Sequence, residues 1–273
     1  MTTFNQILKD IKNIKIQGAK NVAIAGLKAL KIKNNSEAIK KILKTRPTEP
    51  LLKNSITFVK KDNKKIKQVL DHFKESQNKI SELVNKKIKK NSTIFTHCHS
   101  STVVKSLIYS KKKNFQVFNT ETRPLFQGRK TTKELTKAKI KTIEIVDSAA
   151  AIALKKNKIL RKTNIVLLGC DAILKDGSVI NKVGSGMFAE IAYHHKIPVY
   201  IVTDAWKFTS RNIKIEERSF KEVWKRTCKK CKIKNPAFEK VEEKYITAII
   251  SELGILKPKK FVKKVKKVYS WIK

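Results

Sequence analysis

Acidic residues are the scarce class in this chain. Across 273 residues there are 22 Asp and Glu against 63 Lys and Arg, a formal charge of +41. That imbalance predicts a field that draws in anions such as sugar phosphates. It also predicts salt-sensitive, non-specific adhesion to nucleic acid through counterion release. A dedicated nucleic-acid partner and a general filling of solvated positions by Lys both account for the surplus. The lysines run through every segment and no base-reading motif accompanies them, which favours the second account.

Cysteine is sparse as well. Four residues (98, 170, 228 and 231) do not make a disulfide framework in a chain of this length. No apolar run approaches a membrane span, and the opening residues lack a basic stretch followed by an apolar one. The expectation is a soluble, cytoplasmic protein with no membrane partner. The run Cys228-Lys229-Lys230-Cys231 lacks the two further ligands that zinc needs. It falls in a segment read as helical, whereas a redox pair would follow a strand, so it reads as incidental and no metal site is expected. No internal repeat is visible. A hydrophobic fraction of 41% with 7% aromatics supplies an ordinary core.

Residues 1–90 read as an all-α unit. Phe4, Ile7, Leu8, Ile11 and Ile14 recur at steps of three and four. Ser36 has the place of an N-cap for a helix over 37–43, which Pro47 and Pro50 end. One long helix is predicted over about 53–90, with Ile66, Val69, Leu70, Phe73, Ile80, Leu83 and Val84 as its stripe. From 91 to 256 short β-type runs (93–96, 115–118, 142–146, 164–168 and 198–202) alternate with helical stretches. This predicts an α/β domain with a Rossmann-like parallel sheet. The segment 257–273 is a basic extension with Phe261, Val265, Val268 and Ile272 at helical spacing. It is either a packed helix or a basic arm, and the stripe favours packing.

In a parallel sheet, ligands bind beyond the carboxyl ends of the strands, and the polar clusters of this chain follow its strands. His97-Cys98-His99-Ser100-Ser101-Thr102 follows the first and Thr120-Glu121-Thr122-Arg123-Pro124 the second. Asp147-Ser148 follows the third, Gly169-Cys170-Asp171 the fourth, and Thr203-Asp204-Ala205-Trp206-Lys207 the fifth. A helix starting near Ser100 would lower the Cys98 thiol pKa toward thiolate. With Ser100, Ser101 and Thr102 it would also cradle a phosphate. The alternative for Cys98 is a small buried residue at a strand end. Asp171, after an apolar strand, is expected to have a raised pKa and to carry a proton; its alternative is a cap. Asn181 and Lys182 return after a turn at Asp176-Gly177, and the glycines near 184 would let a ligand approach. Arg46 is a phosphate clamp or a solvated helix end. Lys207 is singled out only by its place after the fifth strand.

Taken in order, these segments resemble the family of translation initiation factor 2B alpha, beta and delta subunits. The resemblance lies in 96–100, 120–124 with Gln127-Gly128, 146–150, 169–173, 179–184, Asn235-Pro236-Ala237-Phe238 and 249–254. That family also holds methylthioribose-1-phosphate isomerases and archaeal ribose-1,5-bisphosphate isomerases, and the wording around Cys98 and Glu121-Thr122-Arg123-Pro124 is most similar to the latter. The resemblance implies an aldose–ketose isomerase turning α-ribose 1,5-bisphosphate into ribulose 1,5-bisphosphate in nucleoside monophosphate breakdown, with no cofactor. Asp171 would protonate the ring oxygen and then return the proton to carbon, while Cys98 as thiolate removes the proton from C2. Ligand contacts are implied at Gln17, Gly18, Ala19, Lys20, Arg46, Ser100, Ser101, Thr102, Asn181, Lys182 and Lys207. Gln17 stands where these isomerases usually carry Arg. Assembly as a dimer or hexamer of identical subunits is also implied. The other reading is a regulatory translation-factor subunit that binds a nucleotide or sugar phosphate without catalysis.

Overall fold

Helices α1 (Phe4–Lys12), α2 (Ala19–Ile32), α3 (Ser36–Lys44), α4 (Pro50–Val59) and α5 (Ile66–Lys87) open the chain. The computed structural model describes residues 3–60, 62–155, 162–226, 228 and 230–272; Lys229 and Lys273 lie outside this set. Two boundaries differ from the sequence reading. Asn35, not Ser36, caps α3, its side chain accepting the Ala38 amide at 2.8 Å. The long helix expected over 53–90 is two helices. Pro50 occupies the first turn of α4, where its missing N–H costs nothing. Between α4 and α5, Asp62 accepts the Lys64 amide at 2.9 Å, a local turn that competes with the helical ladder. Ile66, Val69, Phe73, Ile80 and Val84 are buried along α5 as the spacing predicts, but Leu70 is 40% exposed.

The second part is a layered α/β unit. Its strands are β1 (Thr93–His97), β2 (Gln116–Thr120), β3 (Lys141–Ile145), β4 (Ile165–Leu168), β5 (Ala172–Ile173), β6 (Val179–Lys182), β7 (Val199–Val202), β8 (Phe238–Val241), β9 (Ala248–Ser251) and β10 (Gly254–Leu256). Helices α6 (Ser101–Tyr109), α7 (Gln127–Lys137), α8 (Ala150–Leu154) and α9 (Ser185–His194) connect them. The main sheet runs β10-β9-β7-β4-β1-β2-β3 and is parallel except for β10. From β1 the chain moves outward through β2 and β3, then returns to lay β4 on the other side of β1. The order therefore reverses between β1 and β4, which opens a crevice beyond their carboxyl ends. The core strands are buried on both faces, as a covered parallel sheet requires.

A small antiparallel sheet, β5-β6-β8, extends the edge of that crevice. Its pairing of Ala172 with Ile180 carries Asn181 to the place opposite Asp171, and the Asp171 amide donates to the Ile180 carbonyl at 2.8 Å. The turn between β5 and β6 holds Gly177 at φ +90°, and Asp176 accepts the Ser178 amide at 3.0 Å.

The basic tail docks on the body. Helix α10 (Pro258–Val268) buries Phe261 and Val265, and Ile272 follows, while Val268 is 48% exposed because it lies off the packed face. Tyr269 donates its hydroxyl to Glu252 Oε1 at 3.1 Å, and Trp271 meets Trp206 at 4.8 Å between ring centroids. Cys228 and Cys231 are exposed on the loop before β8. Of that run the described residues Cys228, Lys230 and Cys231 are not helical, contrary to the reading of the Cys-Lys-Lys-Cys run.

Candidate active site

A cavity of about 540 Å³ opens where the strand order reverses, and every catalytic or ligand-binding residue expected from the sequence lines it. Cys98, Ser100, Ser101 and Thr102 come from the end of β1 and the start of α6. Asp171, Asn181 and Lys182 come from the β4 tip and the small sheet. Lys207 follows β7, and Gln17, Gly18, Ala19, Lys20 and Arg46 descend from the helical part. Gly18, at φ +85°, starts α2 in a conformation that suits only glycine.

Cys98 sits at φ +66°. Its amide donates to Thr122 Oγ1 at 3.0 Å and its carbonyl accepts from Thr131 Oγ1 at 2.7 Å. Thr122 is held in turn by Asp147, whose two carboxylate oxygens accept the Thr122 and Arg123 amides at 3.0 and 2.7 Å. The polar residues after β2 and β3 thus brace the Cys98 backbone and do not themselves line the cavity. The expected lowering of the thiol pKa is corrected by the structure. Burial dominates and pushes Cys98 up to about 12; the backbone bond near His99 and the charge of Lys182 pull only weakly the other way. A helix terminus lowers a thiol pKa only where the thiolate keeps some solvation. His97 is buried and its pKa is pushed down to about 4, chiefly by burial. Its Nε2–H donates to the Val183 carbonyl at 2.9 Å, which leaves Nδ1 to accept from Thr120.

Asp171 has a raised pKa, as expected after an apolar strand. Burial is the cause, opposed by Lys207, Arg46, Arg218 and Lys182 in that order. Lys207 reaches the Cys170 carbonyl at 2.5 Å. Lys182 is buried, and desolvation lowers its pKa. Asn181 donates to Ser185 Oγ at 2.8 Å. Lys20 is turned toward the Phe73 carbonyl at 2.9 Å, so its charge sits at the rim beside α5. The glycines of the α9 start serve packing and not ligand approach: a Cβ on Gly184 would stand 3.2 Å from His97 Nε2, and neither Gly184 nor Gly186 lines the cavity.

Among the lining residues that the sequence reading missed are the charged pair Glu49 and Arg218. Glu49 lies three residues beyond Arg46, across a turn in which its amide donates to the Arg46 carbonyl at 3.2 Å, and no regular periodicity marks it. Arg218 sits on the loop before β8, where no periodicity fixes the path of the chain. Glu216 ties both cations to the cavity wall, its oxygens 3.4 Å from Arg46 Nη1 and 3.2 Å from Arg218 Nε.

Among the described residues the one grouping with metal-ligand chemistry is His72, Asp204 and Glu252, whose ligand atoms lie within 4.8 Å of one another. Their oxygens are already taken. Asp204 accepts from the Trp206 amide at 2.8 Å and faces His72 Nε2 at 3.2 Å. Glu252 accepts from Ser76, the Ala205 amide and Tyr269, each at 3.1 Å. The trio fastens α5 to the loop after β7 and to the tail.

The model of the initiation factor 2 subunit family matches residues 13–258. A ribose 1,5-bisphosphate isomerase of Methanocaldococcus jannaschii is 33% identical, over 100% of this chain and 97% of that protein. A 5-deoxyribose 1-phosphate isomerase of Petrotoga mobilis is also 33% identical, over 92% of this chain and 86% of its own length. Among solved structures, a Pyrococcus horikoshii translation initiation factor eIF-2B superposes with a TM-score of 0.83 at 25% identity, covering 95% of this chain and 98% of that one.

Proposed function

Because the chain belongs to the initiation factor 2 subunit family, we propose that it is a sugar-phosphate isomerase, acting on ribose 1,5-bisphosphate to give ribulose 1,5-bisphosphate. The observation that carries the reading is the meeting of Cys98 and Asp171 on one buried cavity whose other walls supply Arg46, Lys182, Lys207 and Arg218. Two proton-transferring groups enclosed by cations suit a doubly anionic sugar whose isomerisation is a rearrangement of protons.

The proton account closes as follows. Asp171 gives its proton to the ring oxygen as the bond from C1 to that oxygen breaks. Cys98 sulfur takes the proton from C2. The Asp171 carboxylate then accepts the proton of the C2 hydroxyl as the Cys98 thiol returns a proton to C1, leaving a ketone at C2. Two protons leave the protein and two come back. The sequence reading had Asp171 return the proton to carbon; giving that step to Cys98 brings both groups back to their starting protonation states. Thiolate with carboxylic acid holds the same proton count as thiol with carboxylate. One proton crossing the cavity therefore readies the pair, and Lys182, the cation that acts on the sulfur, eases the cost.

The test is incubation of the purified protein with ribose 1,5-bisphosphate, ribose 1-phosphate and methylthioribose 1-phosphate, followed by ketose detection. Turnover of the bisphosphate, lost in Cys98→Ser and in Asp171→Asn, supports the reading. Turnover of methylthioribose 1-phosphate alone overturns the substrate, and turnover of none overturns the activity. The proposal includes a homo-oligomeric, cytoplasmic enzyme of nucleotide breakdown. A second reading, a non-catalytic initiation-factor subunit, draws on the fit to the Pyrococcus horikoshii structure; stable copurification with initiation-factor subunits would favour it.

A further inference from the structure

Two buried polar atoms at one corner of the cavity have no hydrogen-bond partner among the described residues: Oε2 of Glu49 and Nε of Arg46. Both side chains line the cavity, at 8% and 9% exposure. They stand three residues apart on the approach to α4. Glu49 is the N-cap of that helix, yet its side chain makes no capping bond, the ordinary use of an acid there. Leaving a buried polar atom unsatisfied costs about 1–3 kcal/mol. A fold that keeps two such atoms against one cavity is shaped to meet a ligand's oxygens.

The charged groups acting on Glu49 are Asp171 and Glu216, which repel its carboxylate, and Lys207 and Arg46, which attract it. Burial is the largest influence and Asp171 adds to it, so the pKa of Glu49 is pushed up to about 8. Near neutrality the carboxyl carries its proton and is a hydrogen-bond donor.

We propose that Glu49 touches the bound sugar phosphate directly, donating its O–H to one ligand oxygen while Arg46 Nε donates to a neighbouring one. The inference rests on the sugar-phosphate reading of this same cavity. A neutral donor fits the place better than a carboxylate, which would repel a phosphorylated ligand. It also lets Asp171 ionise during proton transfer without a second negative charge beside it.

The experiment is calorimetric binding of ribose 5-phosphate to the wild type, Glu49→Gln and Glu49→Ala at pH 7 and pH 9, in two buffers of different ionisation enthalpy. Wild-type affinity is expected to fall about tenfold from pH 7 to pH 9, since a Glu49 that ionises near pH 8 must regain its proton to bind. Proton uptake should accompany binding at pH 9. Glu49→Gln, neutral throughout, should bind near wild-type strength at pH 7, lose little at pH 9 and take up no proton. Glu49→Ala should bind about tenfold more weakly at pH 7. Unchanged binding by Glu49→Ala, a Glu49→Gln pH dependence equal to the wild type's, or no wild-type binding at all would each overturn the contact. If these binding results hold while no sugar phosphate is turned over, the isomerase reading falls and the Glu49 contact stands.

Discussion

Lys207 donates from its ammonium to the carbonyl of Cys170 at 2.5 Å, one residue before Asp171. The bond fixes a buried cation beside the proposed acid, and Lys207 is the strongest of the charges that oppose the burial-driven rise in the Asp171 pKa. Replacing Lys207 with Met removes that opposition, so the Asp171 pKa rises further and the carboxylate form appears only at higher pH. The Cys170 carbonyl also loses a buried donor. The expected outcome is a fall in kcat/KM of about 10- to 100-fold, with the acidic limb of the pH profile displaced upward. A profile of unchanged shape at reduced amplitude would mean that Lys207 only holds the ligand.

Cys170 is buried and Cys98 half-buried, with thiol pKa values pushed up to about 11 and about 12, whereas Cys228 and Cys231 are exposed. Alkylation runs through the thiolate, so at pH 7.5 iodoacetamide should label the two loop cysteines first. Cys98 should react more slowly, its thiolate being about a thousandfold scarcer at that pH than an ordinary thiol's. Peptide mass spectrometry over a time course reads this directly. Rapid labelling of Cys98 would show that its sulfur is ionised at rest and that the charging proton transfer proposed above is unnecessary.

His97 ties stability to pH. Its folded pKa is pushed down to about 4, below the unfolded value near 6.5. The unfolded chain therefore binds more protons between those values, and stability rises with pH through that window. Conversely, stability should be lost as pH falls from 6.5 to 4, by on the order of 3 kcal/mol from this residue alone. Urea unfolding at pH 7, 5.5 and 4.5 measures the slope. His97→Gln has no such titration, so its slope over the window should be shallower by that residue's share. An equal slope in both proteins would place the acid sensitivity elsewhere.

Legibility in the sequence followed the physics of each segment. The strand tips were readable because β1 is a short β-type run and β4 and β7 are short apolar ones, each followed at once by polar residues, and the site residues stand at those ends. Helix α7 was not readable: Leu135 is its one large buried apolar side chain, and Gly128 and Thr131 face inward beside it. Strand β5 has two residues and β8 reads Phe-Glu-Lys-Val, too little for an alternation to register. Charge states were harder still. The helix start near Cys98 is plain in the sequence, but the degree of burial that reverses its effect on the thiol is a property of the packed cavity. Glu49 was hidden for the same reason, since an acid before a proline-started helix looks like a cap until its side chain is seen making no capping bond.

Gly169 packs the β4 tip against the start of α6. A Cβ added there would stand 2.6 Å from Ser100 Oγ and 2.7 Å from Ser100 Cβ, closer than real contacts allow. Ser100 caps α6, its Oγ accepting the Val103 amide at 3.4 Å, so the clash falls on the residue that shapes the helix start. Gly169→Ala must push Ser100 outward, at about 1–3 kcal/mol for overpacking. It must also move the α6 amides relative to Asp171, two residues further along. Thermal unfolding should show the lost stability, and phosphate binding should weaken with it. The double variant Gly169→Ala with Ser100→Gly removes both clashing atoms and should recover the overpacking cost, less the few tenths of a kcal/mol lost with the Ser cap. Steric relief of that kind separates a packing clash from backbone strain, because a backbone strained at position 169 would stay destabilised whatever stands at position 100.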